Sequence, residues 1–223
     1  MTMHSVSRRG PRLRRPLGET GCGGAARGLV RSALAAMAAA AALWLASPAQ
    51  ALTVATVDVP EQQTVAGQTL ALNGAGLRQR FVFHVYVAAL YRPTATHDAQ
   101  TILNSPEPQM LRLTLLRDIN GKALTDALNE GLKANNTETE LAAMKDATDR
   151  FEAFMRTGGE GASGDVVEIR FQQGKVSVSF KGKALGEVSD PRFAAALLKV
   201  WLGPAPAQES LKQALLGRKT AAN

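Results

Sequence analysis

The sequence predicts an α+β domain in which a large, mostly antiparallel sheet carries helices on one side. Three observations lead there. Strand-like and helical segments come in blocks rather than in strict alternation, which disfavours a parallel βαβ arrangement. The last three strand-like segments are joined by two-residue turns that only antiparallel neighbours accept. The helical segments carry single apolar stripes, each suited to covering one face of a sheet.

Taken in order, Thr53 to Val59 alternates as an edge strand that Pro60 closes. Thr69 to Leu72 leads into Asn73-Gly74, a tight-turn signal. Phe81 to Leu90 is almost continuously apolar, β-branched or aromatic, as in a strand buried on both faces, and Arg92-Pro93 ends it. Asp98 is placed to cap a short helix running to Leu103, and Met110 to Leu116 is a further strand. Leu124, Leu128 and Leu132 then recur at four-residue spacing, the stripe of a helix with one buried face. A second helix, from about Glu138 to Arg156, turns Leu141, Met144, Phe151, Phe154 and Met155 inward. Gly158 to Gly161 lacks the strand-to-helix setting of a phosphate loop and is a connector. Strands over Asp165–Phe171, Lys175–Phe180 and Lys183–Val188 are separated by Gln173-Gly174 and Lys181-Gly182, both hairpin turns. A helix bearing Phe193, Leu197, Leu198, Trp201 and Leu202 stops at Gly203-Pro204, and a last amphipathic helix covers Ala207 to Leu216.

Residues 1–51 are expected to be a cleavable export signal with a long basic start, leaving one domain over 52–223. Arg27 and Arg31 precede an apolar run from Ala33 to Ala46, which Ser47-Pro48-Ala49-Gln50-Ala51 follows. Basic charge, a short apolar core and small residues before the cut are the order of a secretory signal, with cleavage after Ala51 and a periplasmic destination. The run is shorter than the roughly 20 residues a bilayer-spanning helix needs, and nothing after Ala51 is long and apolar enough to span.

This division changes the charge argument. The formal net charge of +7 comes from 26 basic and 19 acidic residues. Seven of the basic residues and one of the acidic ones lie before residue 52, which leaves 19 against 18, a net of +1. A basic footprint for nucleic acid is therefore missing from the domain, and nucleic-acid binding is excluded. Cys22, the one cysteine, precedes the apolar run, so residues 52–223 hold no disulfide, thiol nucleophile or cysteine-bound metal. His84 and His97 are too isolated for a metal site. No cofactor is expected.

The most informative stretch joins Leu72-Asn-Gly-Ala-Gly-Leu-Arg78 to the apolar strand with Tyr86 and Tyr91. It sets two glycines, suited to a bend or bulge, and an arginine beside an apolar strand. A guanidinium recognises a carboxylate bidentately, and a phenol can add another bond. On one continuous strand, rising about 3.3 Å per residue, Arg78 and Tyr86 would stand roughly 26 Å apart. They meet at one ligand only if the chain reverses between them, and Gln79-Arg80 is a poor turn signal. His84, alternating with Tyr86, is a candidate for the same cleft. Tyr91 and Trp201 suit a core, and Arg117-Asp118 suits a structural ion pair at a strand end.

Asn73-Gly-Ala-Gly-Leu-Arg78, Val85-Tyr86-Val-Ala-Ala-Leu-Tyr91, Leu116-Arg-Asp118, Gly164-Asp165 and Trp201-Leu-Gly203 together resemble the chalcone isomerase superfamily. The likeness is greatest to its bacterial exported, chalcone isomerase-like branch, and it runs from about residue 55 to 217. The resemblance implies an open-faced sandwich with a ligand cleft between the sheet and its helical layer. It implies that Arg78 matches the arginine that faces the anionic substrate in the plant enzymes and the ligand carboxylate in fatty-acid-binding relatives. Tyr86 matches a position that is threonine in the enzymes and tyrosine in the binders. The enzymes' helical tyrosine and asparagine fall on Leu124 and Gly131, neither of which donates a hydrogen bond from its side chain.

The reading that follows is a non-catalytic binder of a small apolar acid, a fatty acid. Arg78 and Tyr86 would hold the carboxylate, with His84, Leu128 and Trp201 as further ligand-binding candidates and Phe83, Val85 or Leu90 forming an apolar wall. Two alternatives stand beside it. One is an isomerase or intramolecular lyase on a phenolic or enone substrate, with Arg78 and Tyr86 as its electrophilic residues. The other is a module that binds an envelope protein.

Overall fold

Seven strands in chain order form one continuous antiparallel sheet, each paired with the next. The computed structural model describes residues 51–65 and 67–218. The predicted signal segment apart from Ala51, and Cys22 with it, lies outside the described residues. Strands β1 (Ala51–Val54) and β2 (Val57–Pro60) form a separate two-stranded hairpin, where the sequence predicts one edge strand. The large sheet comprises β3 (Gln62–Val65), β4 (Gln68–Arg80), β5 (Phe83–Arg92), β6 (Gln109–Leu115), β7 (Val166–Gln172), β8 (Lys175–Phe180) and β9 (Lys183–Ser189). Both predicted turns in the last meander occur, with positive φ at Gln173-Gly174 and at Lys181-Gly182, as two-residue hairpins favour.

Helix α1 (Ala99–Leu103) is capped by the Asp98 carboxylate, which accepts from the Gln100 and Thr101 backbone N–H groups. Helices α2 (Gly121–Asn135), α3 (Glu138–Ala143) and α4 (Lys145–Thr157) fill the connection from β6 to β7. The single helix predicted over 138–156 is thus broken at Met144, whose side chain is buried in the core. Helices α5 (Pro191–Leu202) and α6 (Glu209–Leu215) close the chain.

The core divides by sheet face. Tyr86, Ala88 and Leu90 of β5 join Leu111, Leu113 and Leu115 of β6 beneath the helices, where α5 contributes Phe193, Leu197 and Trp201. On the reverse face, Val87, Ala89 and Tyr91 pack with Leu70 and Met110 under Val59 of the β1–β2 hairpin. This two-sided burial is what the near-continuous apolar run of β5 requires. Farther along the reverse face Glu168 pairs with Arg112 at 2.9 Å and with Arg170, so the sheet is polar where nothing covers it. The fold is therefore the α+β, one-sided arrangement that the block order predicts.

The Asn73-Gly74 turn does not form. Strand β4 runs straight through it, with Leu72 opposite Tyr91 and Gly74 opposite Leu90, so that Asn73 is the extra residue of a bulge. The buried Asn73 amide donates to the Leu215 carbonyl at 2.7 Å and to the Thr96 carbonyl at 3.1 Å, and it accepts from the Thr96 N–H. Its amide thus ties α6 and the loop after β5 to the sheet. Gly74 and Gly76 serve close approach: a Cβ at Gly76 would meet the Ala214 Cβ at 2.6 Å, and one at Gly74 would meet the Leu215 carbonyl oxygen at 2.7 Å. These glycines let α6 lie directly on β4, carrying Gln208 toward Arg78.

Candidate functional site

The chain reverses at Phe81-Val82, immediately after the dipeptide that carries so weak a turn signal. Arg80 pairs with Phe83, and Arg78 pairs with Tyr86. Directly opposed residues of an antiparallel pair hold their Cβ atoms about 5 Å apart, not the roughly 26 Å of a continuous strand. A second bulge, at Val85, lies between the Arg78–Tyr86 and Gln79–His84 pairs. It breaks the alternation on which His84 was placed beside Tyr86. Phe83, Val85 and Tyr86 all line the cavity between sheet and helices, whereas His84 is exposed and takes no part in its wall.

This cavity has a volume of about 560 Å³, within the usual range for small-molecule sites. Its deep wall is apolar, built from Leu113, Val167 and Ile169 of the sheet and from Leu128, Phe151 and Leu197 of the helices. Trp201 lines it as well as belonging to the core, and Leu90 lies deeper in the core beyond it. Its charged lining groups are Arg78 and Arg80 of β4, Arg117 and Asp118 after β6, and Glu130 of α2.

Tyr86 is buried, and its hydroxyl accepts a hydrogen bond from the Trp201 indole Nε1 at 3.0 Å. Among the described residues that hydroxyl donates to nothing, so its proton is free for an acceptor in the cavity. Burial pushes the phenol above its ordinary pKa, while the Trp201 hydrogen bond and the positive charge of Arg78 pull the other way without reversing the shift. The group is a neutral donor throughout the physiological range.

Arg78 is half-buried and is held by neutral oxygens only. Its guanidinium donates to the Gln79 carbonyl and, at 3.2 Å, to the side-chain oxygen of Gln208. Gln208 also accepts from the Gln79 N–H at 2.8 Å and so clamps the start of α6 to the end of β4. No acid pairs with Arg78 among the described residues. Gln208 is a positioning residue that sequence reasoning misses, because 130 residues separate it from Arg78. Arg117 and Asp118 do not pair with each other: Arg117 lies over the Phe83 ring, 4.7 Å from its centroid, and Asp118 accepts from the Ser163 N–H.

Leu124 and Gly131 both line the cavity from α2. A Cβ at Gly131 would stand 2.6 Å from Val200 Cγ1 of α5. An asparagine there would force the two helices apart. Among the described residues, no group of three or more His, Cys, Asp or Glu side chains is arranged to hold a metal ion. No described helix is long and apolar enough to cross a membrane.

A chalcone isomerase-like family model matches residues 51–217. The chain belongs to the chalcone isomerase-like family. Comparison with curated proteins finds no match. Among solved structures, the crystal structure of an Arabidopsis thaliana fatty-acid binding protein superposes with a TM-score of 0.61 at 13% sequence identity. The match covers 75% of this chain and 96% of that one. At such low identity the likeness is one of fold: chalcone isomerase-like proteins share the helix-backed antiparallel sheet described above.

Proposed function

We propose that this chalcone isomerase-like protein binds a fatty acid or a similar apolar carboxylic acid without transforming it, and that it does so after export to the periplasm. One observation carries the reading. At one end of an apolar-walled cavity, a guanidinium without an acid partner stands across the strand pair from a buried phenol whose proton is free. A carboxylate would take bidentate or paired donation from Arg78 and a further bond from Tyr86, and its chain would follow the apolar wall inward. The fatty-acid-binding name of the structural neighbour supports this ligand class. Leu124 and Gly131 line the same cavity, and the sequence resemblance matches them to positions where the plant enzymes carry hydrogen-bonding groups. Acceleration of a cyclisation depends on such preorganised donors.

The test is direct. Protein purified without detergent is extracted with organic solvent and the extract identified by mass spectrometry; a fatty acid at near-stoichiometric amount is expected. Arg78→Ala should then weaken binding of a fluorescent fatty acid by roughly tenfold to a hundredfold, the span of one charge-assisted hydrogen bond of about 1.5–3 kcal/mol. An empty protein whose affinity is the same in Arg78→Ala would refute the proposal.

A further inference from the structure

The β4–β5 hairpin ends in the most exposed apolar group among the described residues. Phe81 is 88% exposed, Val82 85% and Phe83 53%. Burial in the fold does not account for these side chains, and the backbone does not account for Phe81 either. It adopts φ +54°, at a turn position where a hairpin favours glycine or asparagine and a bulky aromatic residue is unusual. An aromatic side chain therefore stands in solvent against the local backbone preference.

Cations surround the tip. Arg80 precedes it, Arg78 follows inward on the same strand, and Arg117 stacks on Phe83. Among the described residues none of the three forms an ion pair with an acid. Asp118 and Glu130 also reach the cavity, but Asp118 is hydrogen-bonded to the Ser163 backbone. Apolar side chains at a protruding point, ringed by unpaired arginines, complement a surface that is apolar within and anionic at its boundary.

We propose that this tip docks the protein on an anionic lipid bilayer, with Phe81 and Val82 entering the boundary between headgroups and acyl chains and Arg80 and Arg117 meeting lipid phosphates. A protein partner fits less well. A stable protein interface covers about 800 Å² on each side, more than a two-residue turn presents. A bilayer needs only a few inserted apolar side chains and nearby basic charge. The tip also continues into the cavity, since Arg80, Phe81 and Phe83 line it. A ligand leaving the bilayer beside the tip would enter without crossing water. The docking surface does not rest on the identity of that ligand.

Val82 lies outside the cavity wall and is exposed, so changing it leaves the fold and the pocket alone. Sedimentation with phosphatidylcholine vesicles, with and without about one-third phosphatidylglycerol, measures docking. The full chain should bind the anionic vesicles preferentially, with binding falling as salt rises. Val82→Asp should lower the partition by about tenfold or more. An environment-sensitive fluorophore on Val82→Cys, in a Cys22→Ser background, localises the contact: its emission should shift to the blue with anionic vesicles alone. Equal sedimentation of wild type and Val82→Asp, or a fluorophore unchanged by vesicles, overturns the proposal, including the case in which residues 1–50 carry the binding. A blue shift produced by an envelope protein and not by vesicles overturns it in favour of a protein partner. Docking that fails while Arg78→Ala still weakens fatty-acid binding leaves the proposed function intact, and the converse is equally readable.

Discussion

Tyr86 serves two ends of one network, because its hydroxyl accepts from Trp201 and keeps its own proton for the cavity. Tyr86→Phe removes both. The indole N–H is then buried without a partner, which costs about 1–3 kcal/mol. The urea midpoint should fall accordingly, and fatty-acid affinity should drop by several-fold, the worth of one neutral hydrogen bond of about 1 kcal/mol. Adding Trp201→Phe to Tyr86→Phe should cost less than the two single changes summed, since removing both partners leaves no orphaned donor. Additive losses in the double variant would contradict the network. Arg78 and Tyr86 were legible as residue types suited to a carboxylate. Their meeting was not, because a two-residue reversal at Phe81-Val82 carries neither glycine nor asparagine to announce it. His84 illustrates the same gap: strand parity puts it with Tyr86, and one bulged residue at Val85 undoes the count.

At the scale of elements, the contact of α6 with β4 decides the site. Gly74 and Gly76 admit the helix, Asn73 fastens it, and Gln208 at its start holds Arg78. Gly74→Ala places a methyl group against the Ala214 and Leu215 carbonyls and 2.8 Å from the Gly217 nitrogen. These are backbone atoms and cannot swing aside, so α6 must lift. A loss of about 1–3 kcal/mol is expected, together with faster amide exchange in α6 and weaker ligand binding, although residue 74 does not line the cavity. An unchanged affinity in a folded Gly74→Ala protein would show that α6 does not position Arg78. The motif Asn73-Gly-Ala-Gly is conspicuous in the sequence, its glycines suit a bend or bulge, and β4 does bulge at Asn73. Their use in admitting a helix more than 130 residues away depends on tertiary contact that no local pattern carries.

For the whole molecule, the two tyrosines of the chain provide a readout of integrity. Tyr86 and Tyr91 are both buried, on opposite faces of the sheet, and burial raises the pKa of each above its ordinary value. The neutral form is the one the fold favours. The stability that these phenols contribute is therefore complete below their unfolded pKa of about 10 and is lost as pH rises toward the folded values. Absorbance at 295 nm should show no independent tyrosine titration near pH 10, and ionisation of both should accompany unfolding at higher pH. A reversible step near pH 10 with native circular dichroism would place at least one phenol in water.

The division between sequence and tertiary structure follows from range. Block order, helical stripes of period near 3.6 and the two glycine-bearing turns determined an α+β domain with helices on one side, because those signals act between residues a few positions apart. The continuous apolar run of β5 likewise announced burial on both faces. What only the tertiary structure decided was which side chains share the cavity. That depended on two bulges, a glycine-poor hairpin and a C-terminal helix lying on β4. Each shifts register or proximity by one residue or a few ångströms, and the proposed carboxylate site depends on that distance.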